Sequence, residues 1–255
     1  MGELRNISFE EEPADVKDRV AGYWTKRADS FFDLRYRELK SDKAGRWLDE
    51  ISALLPWDKS LNILDIGCGA GFFEVLLGKQ GHSVTGIDLT EDMVGHTRRM
   101  IRVFGLDENR VKAVPMDAEK PDFPDGTFDV VITRNLTWTL PHPADAYQEW
   151  FRVLKTGGLL LNFDAEYAKN AHRWLKSPEN SAHKDISDEL KDECHEIYHM
   201  LAISSLARPV WDTAVLAQIG FSHIETDAEF GDRVYKEQDE FYMPDRMFRI
   251  AAFKE

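Results

Sequence analysis

A glycine-rich turn follows a short apolar segment in NILDIGCGAGFF, residues 62–73. Glycine tolerates positive φ and lacks a Cβ, so a ligand can pack against the backbone at Gly67 and Gly69 while the amides of a following helix donate to it. Asp65, near the end of the apolar segment, can accept hydrogen bonds from the loop or from a ligand ammonium group. These residues predict a ligand site at the carboxyl ends of parallel strands.

The spacing of the glycines distinguishes a dinucleotide site from a site for other ligands. The dinucleotide fingerprint is G-x-G-x-x-G, but Phe72 occupies the sixth position counted from Gly67. Bulky Phe72 and Phe73 also leave little room for a pyrophosphate. Twenty-one residues beyond Gly67, Asp88 closes an alternating apolar segment, where a carboxylate can accept both hydroxyls of a ribose. The pattern therefore favours a ligand made of an amino acid and a nucleoside over NAD.

Strands and crossover helices must position these residues. Apolar runs predict strands at Asn62–Ile66, Ser83–Asp88, Val111–Pro115, Phe128–Thr133, Leu159–Phe163, His223–Thr226 and Phe248–Phe253. Helical periodicity occurs between Val16 and Leu55, where we expect two or three helices, and at Phe72–Lys79, Glu91–Phe104, Ala144–Leu154 and Val210–Gln218. This order predicts an α/β fold with a Rossmann-like, doubly wound, seven-stranded and mostly parallel sheet.

The same pattern divides the chain into four parts. We expect an N-terminal helical cap (1–60), a ligand-binding α/β core (61–163), a helical lid insertion (164–209), and a C-terminal helix with strands that complete the sheet (210–255). The lid is predicted because roughly 45 mostly polar and helical residues exceed an ordinary connection.

Composition narrows the classes of partner. The 255 residues carry 46 acidic and 32 Lys and Arg side chains, a formal charge of −14, which disfavours nucleic acid and anionic membrane surfaces as partners. Two cysteines, Cys68 and Cys194, can build neither a disulfide framework nor a four-thiolate zinc site. The first residues lack the pattern of a signal peptide. We therefore expect a cytoplasmic protein that acts on a small molecule, while its oligomeric state is left open.

Four segments carry a resemblance to a known family: NILDIGCGAGFFEVLL, VTGIDLTEDMV, VPMDAEKPDFPDGTFDVVITRNLTWTL and EWFRVLKTGGLLLNF. They resemble the class I S-adenosylmethionine-dependent methyltransferases, in particular the small-molecule branch typified by enzymes of ubiquinone and menaquinone biosynthesis. The resemblance covers Leu61 to Phe163. It implies S-adenosylmethionine as the cofactor and transfer of its methyl group to a small organic acceptor.

The resemblance also implies roles for individual residues. It places Gly67 and Gly69 at the methionine moiety, Asp88 at the ribose, Leu89 and Met93 beside the adenine, and Asp117 with Ala118 at the adenine edge. It places Arg134 and Asn135 at the methionine end or the substrate, and it makes Tyr23, Arg27 and Arg46 candidates for the cofactor carboxylate. The alternatives are that Asp117 is a solvated loop acid, that Tyr23 is a core residue, and that Arg27 and Arg46 lie on a wet helix face.

The acceptor side departs from the family pattern. LTWTLPHP replaces a commonly seen LHH-like sequence, so no imidazole directly follows the fourth strand. His142, Asp164, Glu166 and His172 are the remaining candidates for a general base, and none is assigned that role. Aromatic residues suggest a pocket for an organic molecule, and they are Trp138, Tyr167, Trp174 and Tyr198. In RVLKTGGLLLNF we expect Gly157-Gly158 to form a structural turn between helix and strand.

A rival hypothesis comes from His195-Glu196-Ile197-Tyr198-His199, which fits the H-E-x-x-H signature of zinc peptidases. The longer signature fails because Ala202 stands where it requires glycine. We therefore expect no metal site and a polar helix face instead. A cofactor-binding protein without methyl transfer is the third hypothesis.

Overall fold

The computed structural model describes residues 16–55, 58–167, 182, 186–242 and 244–255. Within them the strands are β1 (Asn62–Ile66), β2 (Ser83–Asp88), β3 (Val111–Pro115), β4 (Phe128–Arg134), β5 (Leu154–Ala165), β6 (Phe221–Asp227) and β7 (Met247–Lys254). The helices are α1 (Val16–Lys40), α2 (Asp42–Ser52), α3 (Phe72–Gly78), α4 (Glu91–Val103), α5 (Pro143–Val153), α6 (Asp188–Met200), α7 (Val210–Ile219) and α8 (Phe230–Val234).

The seven strands form one sheet in the order β3-β2-β1-β4-β5-β7-β6. The pairs from β3 to β5 are parallel, and β7 runs antiparallel to both β5 and β6. Strand order reverses between β1 and β4, which opens a crevice at their carboxyl ends. The glycine loop after β1 and the turn after β4 therefore meet at one edge of the sheet, and the predicted Rossmann-like fold is confirmed.

The central strands are buried on both faces by helices. Ile63, Leu64 and Ile66 of β1 and Val131 and Ile132 of β4 are fully buried. Strands covered on both faces need continuous apolar runs rather than alternation, which is why these segments were recognisable in the sequence.

Trp47 anchors the N-terminal helices to the sheet. Its side chain is fully buried, and its ring centroid lies 4.8 to 5.6 Å from the rings of Phe72, Phe73, Phe163 and Phe230. Such edge-to-face aromatic pairs combine large apolar burial with a favourable quadrupole geometry. α2 is thereby fixed against α3, β5 and α8.

The glycine pair near β5 differs from the expectation of a turn between helix and strand. β5 begins at Leu154 directly after α5, pairing Leu154 with Phe128, and its register shifts before Leu159 pairs with Val130. Gly157, at φ 77°, supplies the left-handed conformation within this irregularity. Gly157-Gly158 therefore forms a bulge inside the strand. β5 also continues to Ala165, so it includes the first two residues assigned to the lid.

No helix in the described ranges has both the length and the apolar composition that crossing a membrane requires.

Candidate functional site

A deep cleft lies at the carboxyl ends of β1 to β4, with one face of α1 forming its opposite wall. Its empty volume is about 1370 Å³, the solvent-open mouth included. Eleven of the twelve predicted cofactor-binding residues line it: Tyr23, Asp65, Gly67, Gly69, Asp88, Leu89, Met93, Asp117, Ala118, Arg134 and Asn135. The fold thus brings together residues that are more than one hundred positions apart in the sequence.

Asp88 is fastened to the glycine loop. The amide of Gly69 donates to Asp88 Oδ2 at 3.1 Å, and the amide and hydroxyl of Thr90 each donate to Oδ1 at 3.0 Å. Gly67 and Gly69 adopt φ of 70° and 52°, and a Cβ on Gly69 would lie 3.0 Å from the ring of Phe31 on α1. Burial raises the pKa of Asp88, and these hydrogen bonds oppose that rise. The carboxylate is held in place and keeps lone pairs for ligand hydroxyls.

Two buried carboxyls lie beside this loop. Asp65 comes from β1 and Glu74 from the first turn of α3, and their side chains are almost completely buried. Burial raises the pKa of Asp65 to about 8, although a hydrogen bond with Glu74 opposes the rise. Burial and the charge of Asp65 raise the pKa of Glu74 well above its ordinary value. The pair therefore holds a proton near neutral pH, and a cation beside Asp65 would favour its ionised form.

Asp117 marks the far end of the cleft. Lys17, in the first turn of α1, donates to Asp117 Oδ2 at 2.7 Å and to Glu119 Oε2 at 2.5 Å. Glu119 also accepts the amide of His142 at 2.6 Å. Asp117 is thus an ion-paired residue of the cleft wall rather than a freely solvated loop acid, and it connects α1 to the loop after β3.

Arg134 belongs to a buried cluster at the opposite end. Its guanidinium lies 4.4 Å and 4.6 Å from the ring centroids of Trp47 and Phe72. Arg134 and Arg35 both donate to the carboxylate of Glu38. Burial opposes ionisation of Glu38, but the two guanidinium charges lower its pKa to about 2.

This cluster has unused binding capacity. Nε and Nη1 of Arg134 are buried and have no hydrogen-bond partner in the described part of the chain. Since the two cations share one carboxylate, Glu38, the cluster also carries an excess positive charge. Buried donors without partners are costly, so both features fit a ligand carboxylate.

Arg46 does not reach the cleft, and the expectation that it binds a ligand carboxylate is wrong. It donates to the Val234 carbonyl at 3.0 Å, to Glu237 at 2.7 Å and to Asp42 at 2.6 Å. Its neighbour Trp47 points into the core, so Arg46 is turned toward the end of α8 and the segment after it.

Aromatic side chains surround the middle of the cleft. The Trp138 ring centroid lies 6.4 Å from that of Trp24, 5.4 Å from Tyr167 and 4.7 Å from Tyr198. Trp24, Trp138 and Tyr167 line the cleft, whereas Tyr198 packs behind Trp138. Trp174 and His172 lie outside the described residues. These rings form an apolar chamber beside the glycine loop.

The side chains considered as general bases contact other groups of the protein. Asp164 binds Arg208 at 2.8 Å and accepts the Trp138 amide at 3.1 Å, in a fully buried ion pair. His142 contacts Glu119, and Glu166 accepts the Arg208 amide at 3.0 Å. Glu166 borders a second space of about 240 Å³ behind Trp138 and Tyr167.

Asn135 follows β4 in a conformation unusual for a residue other than glycine. Its φ is 57°, its amide donates to the Phe163 carbonyl at 2.8 Å, and its side-chain oxygen accepts the Tyr167 hydroxyl at 2.6 Å. Left-handed backbone is costly for such residues and is found preferentially at functional sites. Asn135 thus couples the turn after β4 to the aromatic chamber.

The H-E-x-x-H residues lie on an exposed part of α6. His195 and His199 place their Nε2 atoms 3.1 Å apart, and Glu196 pairs with Arg19 at 2.6 Å. Across the described ranges, no group of three His, Cys, Asp or Glu side chains has the arrangement of a metal site.

Several site residues escaped the sequence reasoning, namely Lys17, Arg35, Glu38 and Glu74. Glu74 carried a usable signal, because it is a single acid within the apolar run FFEVLL, residues 72–77. Glu38 carried none, because it lies among charged residues of α1. Lys17 carried none, since its partners Asp117 and Glu119 lie one hundred residues away.

Comparisons with known proteins agree with the ligand site that the cleft geometry indicates. Residues 64–162 match a family model described as a methyltransferase domain. Demethylmenaquinone methyltransferase of Listeria welshimeri is 31% identical over 123 residues, which are 47% of this chain and 51% of the relative. The chain thus spans about half the length of the curated relatives it matches.

Two solved structures show the same fold at low identity. A possible histamine N-methyltransferase of Thermotoga maritima aligns over 92% of this chain and 99% of its own, with a TM-score of 0.59 and 16% identity. Phosphoethanolamine N-methyltransferase 2 of Haemonchus contortus, in complex with S-adenosyl-L-methionine, aligns over 87% of this chain and 60% of its own, with a TM-score of 0.56 and 17% identity. Residues 64–162 therefore match a methyltransferase domain, and the fold around them is that of these S-adenosylmethionine-dependent methyltransferases.

Proposed function

We propose that this protein transfers a methyl group from S-adenosylmethionine to a small organic acceptor bound in the same cleft. The observation that carries the proposal is the joining of Asp88 to the glycine loop through the Gly69 amide. This contact sets a ribose-binding carboxylate directly beside a loop suited to an amino-acid moiety. The absence of a dinucleotide spacing in that loop supports the same ligand.

Different residues along the cleft bind different parts of this cofactor in our proposal. We assign the ribose hydroxyls to Asp88, the adenine to Leu89, Met93, Asp117 and Ala118, and the methionine moiety to Gly67, Gly69 and Asp65. The unused donors of Arg134 suit the carboxylate, with Asn135 and Tyr23 completing the wall. Asp65, whose pKa is about 8 without a ligand, would ionise beside the ammonium group.

Positioning explains most of the catalysis in this proposal. When bound, S-adenosylmethionine supplies an electrophilic methyl group on a sulfonium, and displacement there needs the acceptor atom held in line. Orientation of two bound reactants can contribute roughly 7 to 11 kcal/mol to lowering a barrier. The aromatic chamber beside the glycine loop excludes water and restricts the acceptor's orientation.

The cleft tyrosines do not act as bases in this scheme. Burial raises the pKa of both Tyr23 and Tyr167 well above the ordinary value for tyrosine. Their hydroxyls therefore stay protonated at neutral pH and serve as hydrogen-bond donors. An acceptor that must lose a proton would lose it before transfer or to water, so its own pKa should set the pH dependence of the rate.

The acceptor's properties and the cellular setting are also part of the proposal. The chamber's aromatic lining fits a modest organic molecule rather than a macromolecule. The charge of −14 opposes association with nucleic acid. The free thiols of Cys68 and Cys194 suit a reducing compartment such as the cytoplasm.

Calorimetry with S-adenosylhomocysteine tests the cofactor assignment. Asp88→Ala should weaken binding by about 10- to 100-fold, because two hydrogen bonds to a charged group are lost. Asp58→Ala, which removes an exposed carboxyl, is the matched control and should bind like the wild type. Absence of binding to the wild type, or equal binding by Asp88→Ala, would contradict the proposal.

A turnover assay distinguishes methyl transfer from cofactor binding alone. Incubation with S-adenosylmethionine and a metabolite extract should produce a species heavier by one methyl group, detected by mass spectrometry, and Asp88→Ala should abolish it. Tight cofactor binding without any such product would favour the non-transferring alternative.

A further inference from the structure

Among the described residues, Arg27 is a buried cation without a carboxylate partner. Its side chain lines the cleft and the residue is 5% exposed. Its Nη1 donates to the Tyr23 hydroxyl at 3.2 Å, its Nε has no hydrogen-bond partner, and within the described part of the chain no acid pairs with it. A buried guanidinium in such surroundings is costly unless a ligand supplies the missing charge.

The position of Arg27 separates it from the cluster assigned to the cofactor carboxylate. Both Arg27 and Arg35 lie on α1, eight residues apart, a rise of about 12 Å along the helix. Arg35 shares Glu38 with Arg134 at one end of the cleft, while Lys17 marks the other end through Asp117. Arg27 lies between these ends along α1, over the middle of the cleft.

Arg27 borders the aromatic chamber through Tyr23. The centre of its guanidinium lies 6.0 Å from the centroid of the Tyr23 ring, which lies 5.2 Å from the Trp24 ring centroid. The Cys194 thiol of α6 lies beside the hydroxyls of Tyr23 and Tyr198. Tyr198 in turn packs on Trp138. Arg27 is therefore set, through Tyr23, next to the rings of the chamber that we assign to the acceptor.

We propose that Arg27 binds an anionic group of the methyl acceptor, which is therefore an organic carboxylate or phosphate with an apolar or aromatic body. The inference rests on the proposed methyl transfer and specifies its substrate class. A guanidinium matches the planar or trigonal arrangement of oxygens in both anions. The surrounding rings accommodate the apolar part and exclude water, which strengthens the charge–charge attraction.

A fragment-binding experiment tests this assignment on the full-length protein loaded with S-adenosylhomocysteine. The probes are aryl carboxylates, aryl phosphates and the neutral amides matched to the carboxylates, with binding measured by saturation-transfer NMR. We expect the wild type to prefer the anions over the amides. The ratio of carboxylate to phosphate binding then identifies which anion the site takes.

Variants of two adjacent residues locate the effect. Arg27→Met should weaken anion binding by at least tenfold and Arg27→Lys by less, whereas Lys26→Met, at the exposed neighbouring position, should match the wild type. Arg27→Met should leave the affinity for S-adenosylhomocysteine within threefold of the wild-type value, whereas Arg134→Met should lower it at least tenfold. Thermal melting establishes whether each variant is folded. If Arg27→Met is not folded, Arg27→Lys takes its place in the test.

The outcomes separate the two proposals. The acceptor assignment is overturned if the wild type binds anions and amides equally well. It is also overturned if Arg27→Met and Arg27→Lys leave anion binding unchanged. An Arg27→Met variant that loses S-adenosylhomocysteine as Arg134→Met does would move Arg27 to the cofactor. Failure of the wild type to bind S-adenosylhomocysteine overturns the proposed function itself, independently of the fragment results.

Discussion

Asp65 and Glu74 form a pair of acids where the glycine loop leaves β1 and enters α3. The pKa of Asp65 is raised to about 8, against about 4 in an unfolded chain. Between these values the folded protein binds a proton that the unfolded chain releases. This carboxyl therefore stabilises the folded state less as the pH rises from about 4 through about 8.

The variant Glu74→Gln tests this loss of stability with rising pH. The amide removes one of the two carboxyls, so the melting temperature should fall less between pH 5.5 and pH 8.5 than it does for the wild type. We expect a relative gain of about 3 °C at the higher pH, which corresponds to roughly 1 kcal/mol in a chain of this size. Thermal melting without ligand measures it. Glu108→Gln, at an exposed position, should follow the wild-type curve, and parallel curves for Glu74→Gln would refute the assignment.

α1 is the element that closes the cleft. Tyr23, Arg27, Phe31 and Leu34 recur at intervals of three or four residues and so form one face of the helix along the cleft. Lys17 holds the start of this helix to Asp117 and Glu119. The helix thereby spans from the predicted adenine end to the Arg134 cluster.

Lys17→Met should therefore speed the release of the cofactor product. Partly exposed ion pairs each contribute about 0.2 to 1 kcal/mol, so losing two should raise the dissociation rate of S-adenosylhomocysteine roughly 2- to 30-fold. Stopped-flow displacement measures this rate. Lys26→Met, elsewhere on α1, provides the control. An unchanged dissociation rate in Lys17→Met would show that α1 is held by its apolar contacts alone.

At the scale of the whole molecule, Arg208 ties the segment after α6 to the sheet. It bonds Asp164 of β5 at 2.8 Å and Asp212 of α7 at 2.7 Å, and all three side chains are buried. Tyr147 of α5 donates to Asp212 at 2.6 Å and extends the network. Asp164 also holds the backbone of Trp138 in the aromatic chamber, so the network links global stability to the acceptor wall.

Arg208→Met should lower the melting temperature by about 10 °C, because removing one partner of a buried ion pair costs about 3 to 5 kcal/mol. Calorimetric melting provides the measurement. Arg246→Met, which removes an exposed ion pair with Asp232, should change it little. A similar small change in both variants would mean that the buried pair is replaceable by apolar packing.

The sequence by itself determined the strands, the glycine loop and the residues at the strand ends. β1, β2 and β3 match the predicted segments residue for residue, because buried strands and glycine turns are encoded by local composition. The cofactor class followed from the same local signals. Eleven residues chosen on this basis and on the family resemblance line one cleft.

Only the tertiary structure decided which charges meet. Arg46 points away from the cleft, whereas Arg134 and Arg35 share Glu38, and Lys17 reaches Asp117 across one hundred residues. The strand at Leu154 and its bulge likewise depend on pairing with Phe128. Ion pairs and register arise from contacts between distant segments, and no local pattern records them. The lack of a carboxylate beside Arg27 in the described part of the chain is such a fact, since it depends on all the segments that pack around this residue.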